Sequence, residues 1–170
     1  MSPVLSRRAA LALTLQALVA RSVHARVGPV PFNVGRKPMP TSEAPADLLP
    51  ARVGEFRRDA LPSSTAKVPS DEELYVTYRR GPDSVSVGVS LPGSADDARA
   101  AVETAATETR DELRRTGRRD ELPRLMQDLK GDPAFVAASD FMAWTRGRYF
   151  FAAKANNPRA LAGFMQAFPY

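Results

Sequence analysis

Asp140 is the acidic residue best placed for chemistry, because it lies inside an apolar and aromatic run from Ala134 to Ala155. Burying a carboxylate there without a partner costs free energy. Arg146 or Arg148, across the predicted hairpin, could compensate its charge. We therefore expect Asp140 to form an ion pair that helps to specify the fold. The alternative is a catalytic or ligand-binding acid.

Three residues close to Asp140 in the chain are candidates for binding a ligand. The rings of Trp144 and Tyr149 could stack on a sugar or a base, and Arg146 lies between them. Aromatic residues in an apolar strand are more often part of the core. Burial of both rings is therefore the favoured interpretation, and ligand binding is the alternative.

A second candidate surface consists of four arginines near the end of a predicted long helix: Arg114, Arg115, Arg118 and Arg119. Such a patch could contact nucleic acid, anionic lipid or an envelope polymer. Four acidic residues bracket it: Asp111, Glu112, Asp120 and Glu121. Because arginine also stabilises helix C-termini, we favour a solvated surface of mixed charge. Nucleic acid is not the expected partner.

The first 25 residues have the three parts of an export signal. Arg7 and Arg8 form a basic start, an apolar run of 12 residues extends from Ala9 to Ala20, and Val23-His24-Ala25 is a small-x-small cleavage site. A bilayer span needs about 20 apolar residues, so we predict a leader that is cleaved after Ala25. The alternatives are a leader retained as a membrane anchor and an ordinary helix of the folded protein.

The segment Ser6-Arg7-Arg8-Ala9-Ala10-Leu11 also resembles the twin-arginine (Tat) export signal, in its serine, its paired arginines and its leucine. The usual phenylalanine and lysine are replaced by Ala10 and Ala12. The resemblance implies export by the twin-arginine route. The general secretory route is the alternative.

Cleavage after Ala25 would change the chemistry open to the protein. It removes His24, the only histidine, and three arginines, so the formal net charge falls from +5 to +2. The chain contains no cysteine. Catalytic triads with histidine, cysteine nucleophiles, histidine-ligated zinc and haem are then excluded. Carboxylate, lysine, tyrosine and serine chemistry remain, and we expect neither a cofactor nor a metal.

The composition divides the chain after the leader into two parts. Residues 26–46 contain five prolines and show no periodicity, which predicts a Pro-rich linker or surface arm. Residues 47–170 are predicted to form a single domain, since a domain of this size can bury a core of its own. Alternating apolar residues predict a hairpin of two strands, Glu73 to Arg79 and Ser84 to Leu91.

Helix signals follow this hairpin. Ser94 is typical of an N-cap, and the apolar stripe of the helix after it is mostly alanine, which allows close approach to a sheet. Apolar spacing predicts a second helix from Asp120 to Lys130. The aromatic run is predicted to be a hairpin that turns at Thr145-Arg146-Gly147, and Asn157-Pro158 to open a C-terminal helix.

The predicted fold is α+β in the order β-β-α-α-β-β-α. It has a mainly antiparallel sheet of about four or five strands, with helices packed on it. One additional strand could lie between Gly54 and Asp59.

The region after the leader resembles, loosely, the small uncharacterised α+β domains that bacteria export. This resemblance implies a periplasmic or extracellular location and no particular activity. We expect a non-enzymatic binding or accessory domain whose partner is a protein or an envelope component. The leader alone would contact the membrane, in transit. The alternative function is a carboxylate-dependent hydrolase or lyase that uses Asp140.

Overall fold

The computed structural model describes residues 37–62, 66–70, 72–121, 124–127, 133–137 and 140–170. These residues contain eight strands: β1 (Arg52–Val53), β2 (Phe56–Arg58), β3 (Leu74–Arg80), β4 (Asp83–Ser90), β5 (Arg124–Gln127), β6 (Pro133–Ala137), β7 (Phe141–Arg146) and β8 (Tyr149–Ala155). They also contain three α-helices: α1 (Pro45–Leu48), α2 (Ala95–Arg115) and α3 (Pro158–Ala167).

The strands form one antiparallel sheet in the order β1-β2-β3-β4-β8-β7-β6-β5. Two runs of four consecutive strands meet where β4 pairs with β8. The predicted α+β fold with a mainly antiparallel sheet is confirmed. The sheet has eight strands in its described part, however, and the predicted number was four or five.

Both predicted hairpins are present, and each turns at a glycine with positive φ. Gly81 has φ +55° between β3 and β4, and Gly147 has φ +57° between β7 and β8. A side chain with a Cβ is disfavoured in this left-handed region. The turn chemistry thus explains why the chain reverses at these two points.

The predicted second helix is wrong. The chain instead forms a 3₁₀ turn at Arg119–Glu121 and then strand β5, which pairs with β6. The apolar residues between Asp120 and Lys130 do have helical spacing. Pro123, however, disfavours helical backbone at the residue before it, and pairing with β6 provides hydrogen bonds for the segment that follows.

Two further differences account for the larger sheet. A short hairpin, β1 and β2, occupies the region in which one additional strand was anticipated. The first half of the aromatic run forms two strands, β6 and β7, where one arm was predicted. Asp140 consequently lies in the turn before β7 and not inside a strand.

Helices α2 and α3 lie on opposite faces of the sheet. We call the face under α3 the core face, and the following core side chains pack there: Val76, Tyr78, Val85, Val87, Met142, Trp144, Phe151, Leu161, Phe164 and Phe168. On the other face, Val102, Ala106 and Leu113 of α2 pack on residues of β6, β7 and β8. The predicted caps are confirmed, since the side chains of Ser94 and Asn157 accept from the amides of Asp97 and Ala160.

Residues 37–46, the described part of the predicted linker or arm, lie against the domain. The amide of Lys37 donates to the carbonyl of Pro169 at 3.1 Å, and the amide of Val68 donates to the carbonyl of Glu43 at 2.9 Å. Met39 packs against the core, and Pro45 is buried at the start of α1. This segment covers part of the core face.

Candidate functional site

Asp140 forms an ion pair with a lysine, and not with the arginines expected from the sequence. Its Oδ1 lies 2.8 Å from Nζ of Lys154, and the two side chains are 11% and 18% exposed, respectively. Lys154 on β8 lies opposite Phe141, the first residue of β7. Because Asp140 directly precedes Phe141, this register brings the two charges together. Alternation along β7 puts Arg146 on the core face, while Arg148 pairs with Glu43 at 3.9 Å.

The Asp140–Lys154 pair belongs to a wider set of opposed charges at the C-terminal end of α2. Arg118 Nε donates to Glu121 at 2.8 Å. This hydrogen bond, together with the negative charges of Glu121, Asp140 and Glu112, raises the pKa of Arg118. Each carboxylate of this set faces a cation, so Asp140 has the environment of a structural ion pair.

Trp144 is fully buried and has no surface with which to stack on a ligand. Its ring stacks on that of Phe151, with centroids 5.3 Å apart and planes 9° apart, and Phe168 lies edge-on at 5.6 Å. Arg146 and Tyr149 are also buried, at 3% and 8% exposure. The aromatic run is therefore part of the core, and a ligand could not reach these three candidates without displacing core side chains.

The four arginines at the end of α2 do not act as one free basic patch. Arg115 Nε donates to Glu112 at 3.0 Å, and Arg118 pairs with Glu121. Arg114 and Arg119 are exposed. Pairs of this spacing along a helix contribute only tenths of a kcal/mol, but they neutralise half of the positive charge. The described part of this surface has mixed charge.

The sequence did not reveal a second polar surface, which lies on the opposite side of β1, β2, β3 and β4 from the core face. We call it the open face. Helix α2 packs on β6, β7 and β8, which lie on the other half of this side of the sheet. Among the described residues outside β5 and β6, Tyr75 on the open face is the only large apolar side chain that is exposed, at 38%.

Three arginines lie side by side on the open face. Arg52 is directly opposite Arg57, and Arg57 is directly opposite Arg79. We call these residues the arginine row. Their strand neighbours Val53, Phe56 and Tyr78 are buried in the core, so alternation directs all three arginines to the open face. All three arginines are exposed.

The arginine row is electrostatically unfavourable by itself. Arginine is always charged in proteins, and like charges directly opposite each other on neighbouring strands are destabilising. Arg79 Nε lies 3.1 Å from Asp59 Oδ2, whereas Arg52 and Arg57 have no carboxylate partner among the described residues. The row thus has unmatched positive charge that an anion could neutralise.

Next to the arginine row lies a row of hydroxyl groups. Thr77 pairs with Ser86, and their hydroxyl oxygens are 3.4 Å apart. Ser86 is in turn opposite Lys154 on β8. Beyond them, Tyr75 lies opposite Gly88. The open face therefore combines cations, hydroxyls and one exposed ring.

Glu73 lies at the far end of the open face, over Gly88. A Cβ at Gly88 would collide with Oε2 of Glu73 and would lie 2.7 Å from Cε1 of Tyr75. Burial raises the carboxyl pKa of Glu73, and a hydrogen bond with Tyr75 opposes part of this shift. Oε2 is buried and has no hydrogen-bond partner in the described part of the chain. Burial and the charge of Glu73 also raise the pKa of the Tyr75 phenol.

Spacing in the sequence could not reveal the open face, because its members come from four strands and are brought together by the register between them. Arg57 and Arg79 belong to two of the Arg-Arg doublets of the chain. In each doublet, only one arginine points to the open face, while the other, Arg58 or Arg80, bonds to the backbone of Leu49 or to Asp83. The doublets were visible in the sequence, but their division between two faces was not.

The predicted export signal, including Arg7, Arg8, His24 and the cleavage site at Ala25, lies outside the described residues. Within the described ranges, no helix is long and apolar enough to cross a membrane. The same ranges contain no group of three or more acidic, histidine or cysteine side chains that could hold a metal ion.

The sequence of this chain matches no protein-family model, and neither a curated protein nor a solved structure matches it significantly.

Proposed function

We propose that this chain is an exported protein whose domain acts by binding a component of the cell envelope and not by catalysis. The observation that carries the proposal is the open face, a solvent-exposed side of the sheet with three aligned arginines. Aligned like charges cost stability, and a ligand of opposite charge would offset that cost.

The surroundings of Asp140 support the same proposal. A general acid or base must lie within hydrogen-bond reach of its substrate. The Asp140 carboxylate instead lies 2.8 Å from the ammonium group of Lys154, and both side chains are mostly buried. The acid singled out by the sequence therefore has the environment of a structural residue.

The leader supports export, and an intact-mass measurement tests it. We expect protein from the extracytoplasmic fraction to begin at Arg26. A chain that still begins at Met1 or Ser2 would contradict cleavage. Replacing both Arg7 and Arg8 by lysine distinguishes the routes, since loss of export is expected for the twin-arginine route and continued export for the general secretory route.

Binding is tested by co-sedimentation of the purified mature protein with isolated cell envelopes. We expect the protein to pellet with the envelopes at low salt and to be released as the salt concentration rises, because exposed charges are screened. Protein that stays in the supernatant at every salt concentration would contradict the proposal.

Glu73 favours a second candidate function, a carboxylate-dependent hydrolase or lyase. Its raised carboxyl pKa and its unpartnered Oε2 are features of a general acid. The candidate acid is then Glu73 and not Asp140. The test is turnover of an envelope polymer by the mature protein. Activity that is lost in Glu73→Gln and retained in the neighbouring Glu72→Gln variant would favour this function over binding.

Retention of the leader as an anchor is distinguished by the same mass measurement combined with fractionation. An anchored protein would keep residues 1–25 and would remain with membranes after washing at high salt. The cleaved protein that we propose contacts the membrane only in transit.

A further inference from the structure

We infer that the open face binds an acidic polysaccharide, a chain of sugars that carries carboxylate groups. This inference rests on the proposed binding function and specifies its ligand. It follows from the order of the groups across the face, which places cations, hydroxyls and an exposed ring on adjacent rows.

The arginine row matches a series of carboxylates. The planar guanidinium group of arginine can donate two parallel hydrogen bonds to one carboxylate. Neighbouring strands lie about 4.8 Å apart, so Arg52 and Arg57 offer two adjacent cationic positions without a carboxylate partner among the described residues, and Arg79, paired with Asp59, continues the row. A linear chain with repeated carboxylates can occupy both positions together, which a single small anion cannot do.

The second row of the open face suits the neutral part of such a sugar chain. The hydroxyl groups of Thr77 and Ser86 are both donors and acceptors, and they are 3.4 Å apart. Each can exchange hydrogen bonds with sugar hydroxyls. The exposed ring of Tyr75, one pleat further along β3, provides an apolar surface on which a sugar ring can stack.

Other classes of partner fit the described surface less well. A membrane surface requires several exposed apolar side chains beside the cations, and on strands β1 to β4 Tyr75 is the only large apolar side chain that is exposed. The buried centre of a stable protein interface is more apolar than the rest of the surface, whereas the open face presents arginines and hydroxyl groups around one exposed ring. Nucleic acid needs a more continuous positive groove, and the carboxylate of Asp59 interrupts the row at Arg79.

The test uses the full mature protein and polygalacturonate as the acidic probe, with uncharged dextran as the neutral probe. Binding is measured by isothermal titration at low salt. The main variant is Arg52→Gln/Arg57→Gln. Its matched control is Arg114→Gln/Arg119→Gln, which removes the same charge from two exposed arginines elsewhere.

We expect polygalacturonate to bind and dextran not to bind. The Arg52→Gln/Arg57→Gln variant should lose at least about tenfold in affinity, since it removes two guanidinium groups that can make charge-assisted hydrogen bonds to carboxylates. The control variant should change by less than about twofold. Equal losses in both variants, or unchanged binding in the main variant, would overturn the inference. The Arg52→Gln/Arg57→Gln variant should melt no lower than the wild type, because it removes two opposed like charges. Tyr75→Ser provides a second, uncharged test, in which weaker binding is expected and unchanged binding would contradict the inference.

The arms of the experiment separate this inference from the proposed function. Protein that pellets with envelopes but does not bind polygalacturonate would overturn the inference and leave envelope binding in place. Binding to phosphatidylglycerol vesicles or to oligodeoxythymidine, without binding to polygalacturonate, would assign the face to lipid or nucleic acid and would also overturn it. Absence of all binding would refute both proposals.

Discussion

The two faces of the sheet differ in what covers them. On the core face, the rings of Trp144, Phe151 and Phe168 pack together under α3 with no exposed surface. On the opposite side, α2 covers the strands from β8 to β6, and the arginine row lies on the half formed by β1 to β4. The packed core and the proposed binding surface therefore lie on different sides of one sheet.

This division has a physical basis in the composition of the strands. Val85, Val87 and Val89 of β4 point to the core face and are completely buried. The residues between them are serine and glycine, which contribute little apolar area to the other side. Because apolar burial is the main driving force of folding, substitutions on the core face should dominate stability.

The largest effect is expected for Trp144→Ala on the core face. Removing a fully buried indole should lower the free energy of unfolding by about 3 to 5 kcal/mol, through lost burial and a cavity. Tyr75→Ala on the open face is the matched control and should cost much less. Urea unfolding measures both, and equal losses would contradict the division between the faces.

Asp140→Asn should destabilise the protein by about 2 kcal/mol, because it leaves the half-buried ammonium of Lys154 without its counter-charge. The double variant Asp140→Asn/Lys154→Met should recover part of this loss, since no unpaired charge then remains. A variant that keeps wild-type stability but binds envelopes more weakly would instead make Asp140 a ligand-binding residue.

Gly88→Ala should cost about 1 kcal/mol. A Cβ at this position collides with the Glu73 carboxylate and crowds the ring of Tyr75, so both side chains must move. The double variant Gly88→Ala/Glu73→Ala should recover part of the lost stability, because the contact with the ring of Tyr75 remains. Unchanged stability of the single variant would show that the carboxylate does not lie over Gly88.

The smallest effect concerns pH. Burial raises the carboxyl pKa of Glu73 above 4.5, so the folded protein keeps a proton that the unfolded chain loses. The protonated Glu73 carboxyl group therefore contributes its full stability below the pKa that it has in the unfolded chain. This contribution is lost as the pH rises through the higher pKa that it has in the folded protein. Glu73→Gln should therefore equal the wild type near about pH 4 and be more stable at about pH 7.

Thermal unfolding at several pH values measures this difference. The exposed neighbour Glu72→Gln is the control and should show no comparable dependence on pH. A Glu73→Gln variant that is less stable than the wild type at neutral pH would show that the carboxylate is stabilising as an ion, contrary to the direction of its shift.

Much of the fold could be predicted from local signals. Alternation defined β3 and β4, a glycine marked the turn before β8, and the capping residues Ser94 and Asn157 located two helices. These features depend on neighbours within a few residues. The helix predicted from Asp120 was wrong. The apolar spacing of this segment suits a helix, but its pairing with β6, which the local sequence does not show, makes it a strand.

The candidate site could be predicted only in part. The burial of Trp144 followed from the apolar residues around it, but the partner of Asp140 depended on the register of β7 against β8. The arginine row depends on two further registers, between β1 and β2 and between β2 and β3. Sequence spacing does not encode register between strands that are separated by a long loop, such as β2 and β3.

A nuclear magnetic resonance titration of isotopically labelled protein that begins at Arg26 tests the proposed binding surface most directly. Backbone amide chemical shifts would be followed as oligogalacturonate is added. We predict that the shifted amides cluster on β1 to β4, around Arg57, Tyr75 and Arg79, while those of the buried hairpin β7–β8 change little. Shifts that cluster at the C-terminal end of α2, around Arg114 and Arg119, would contradict the assignment of binding to the open face.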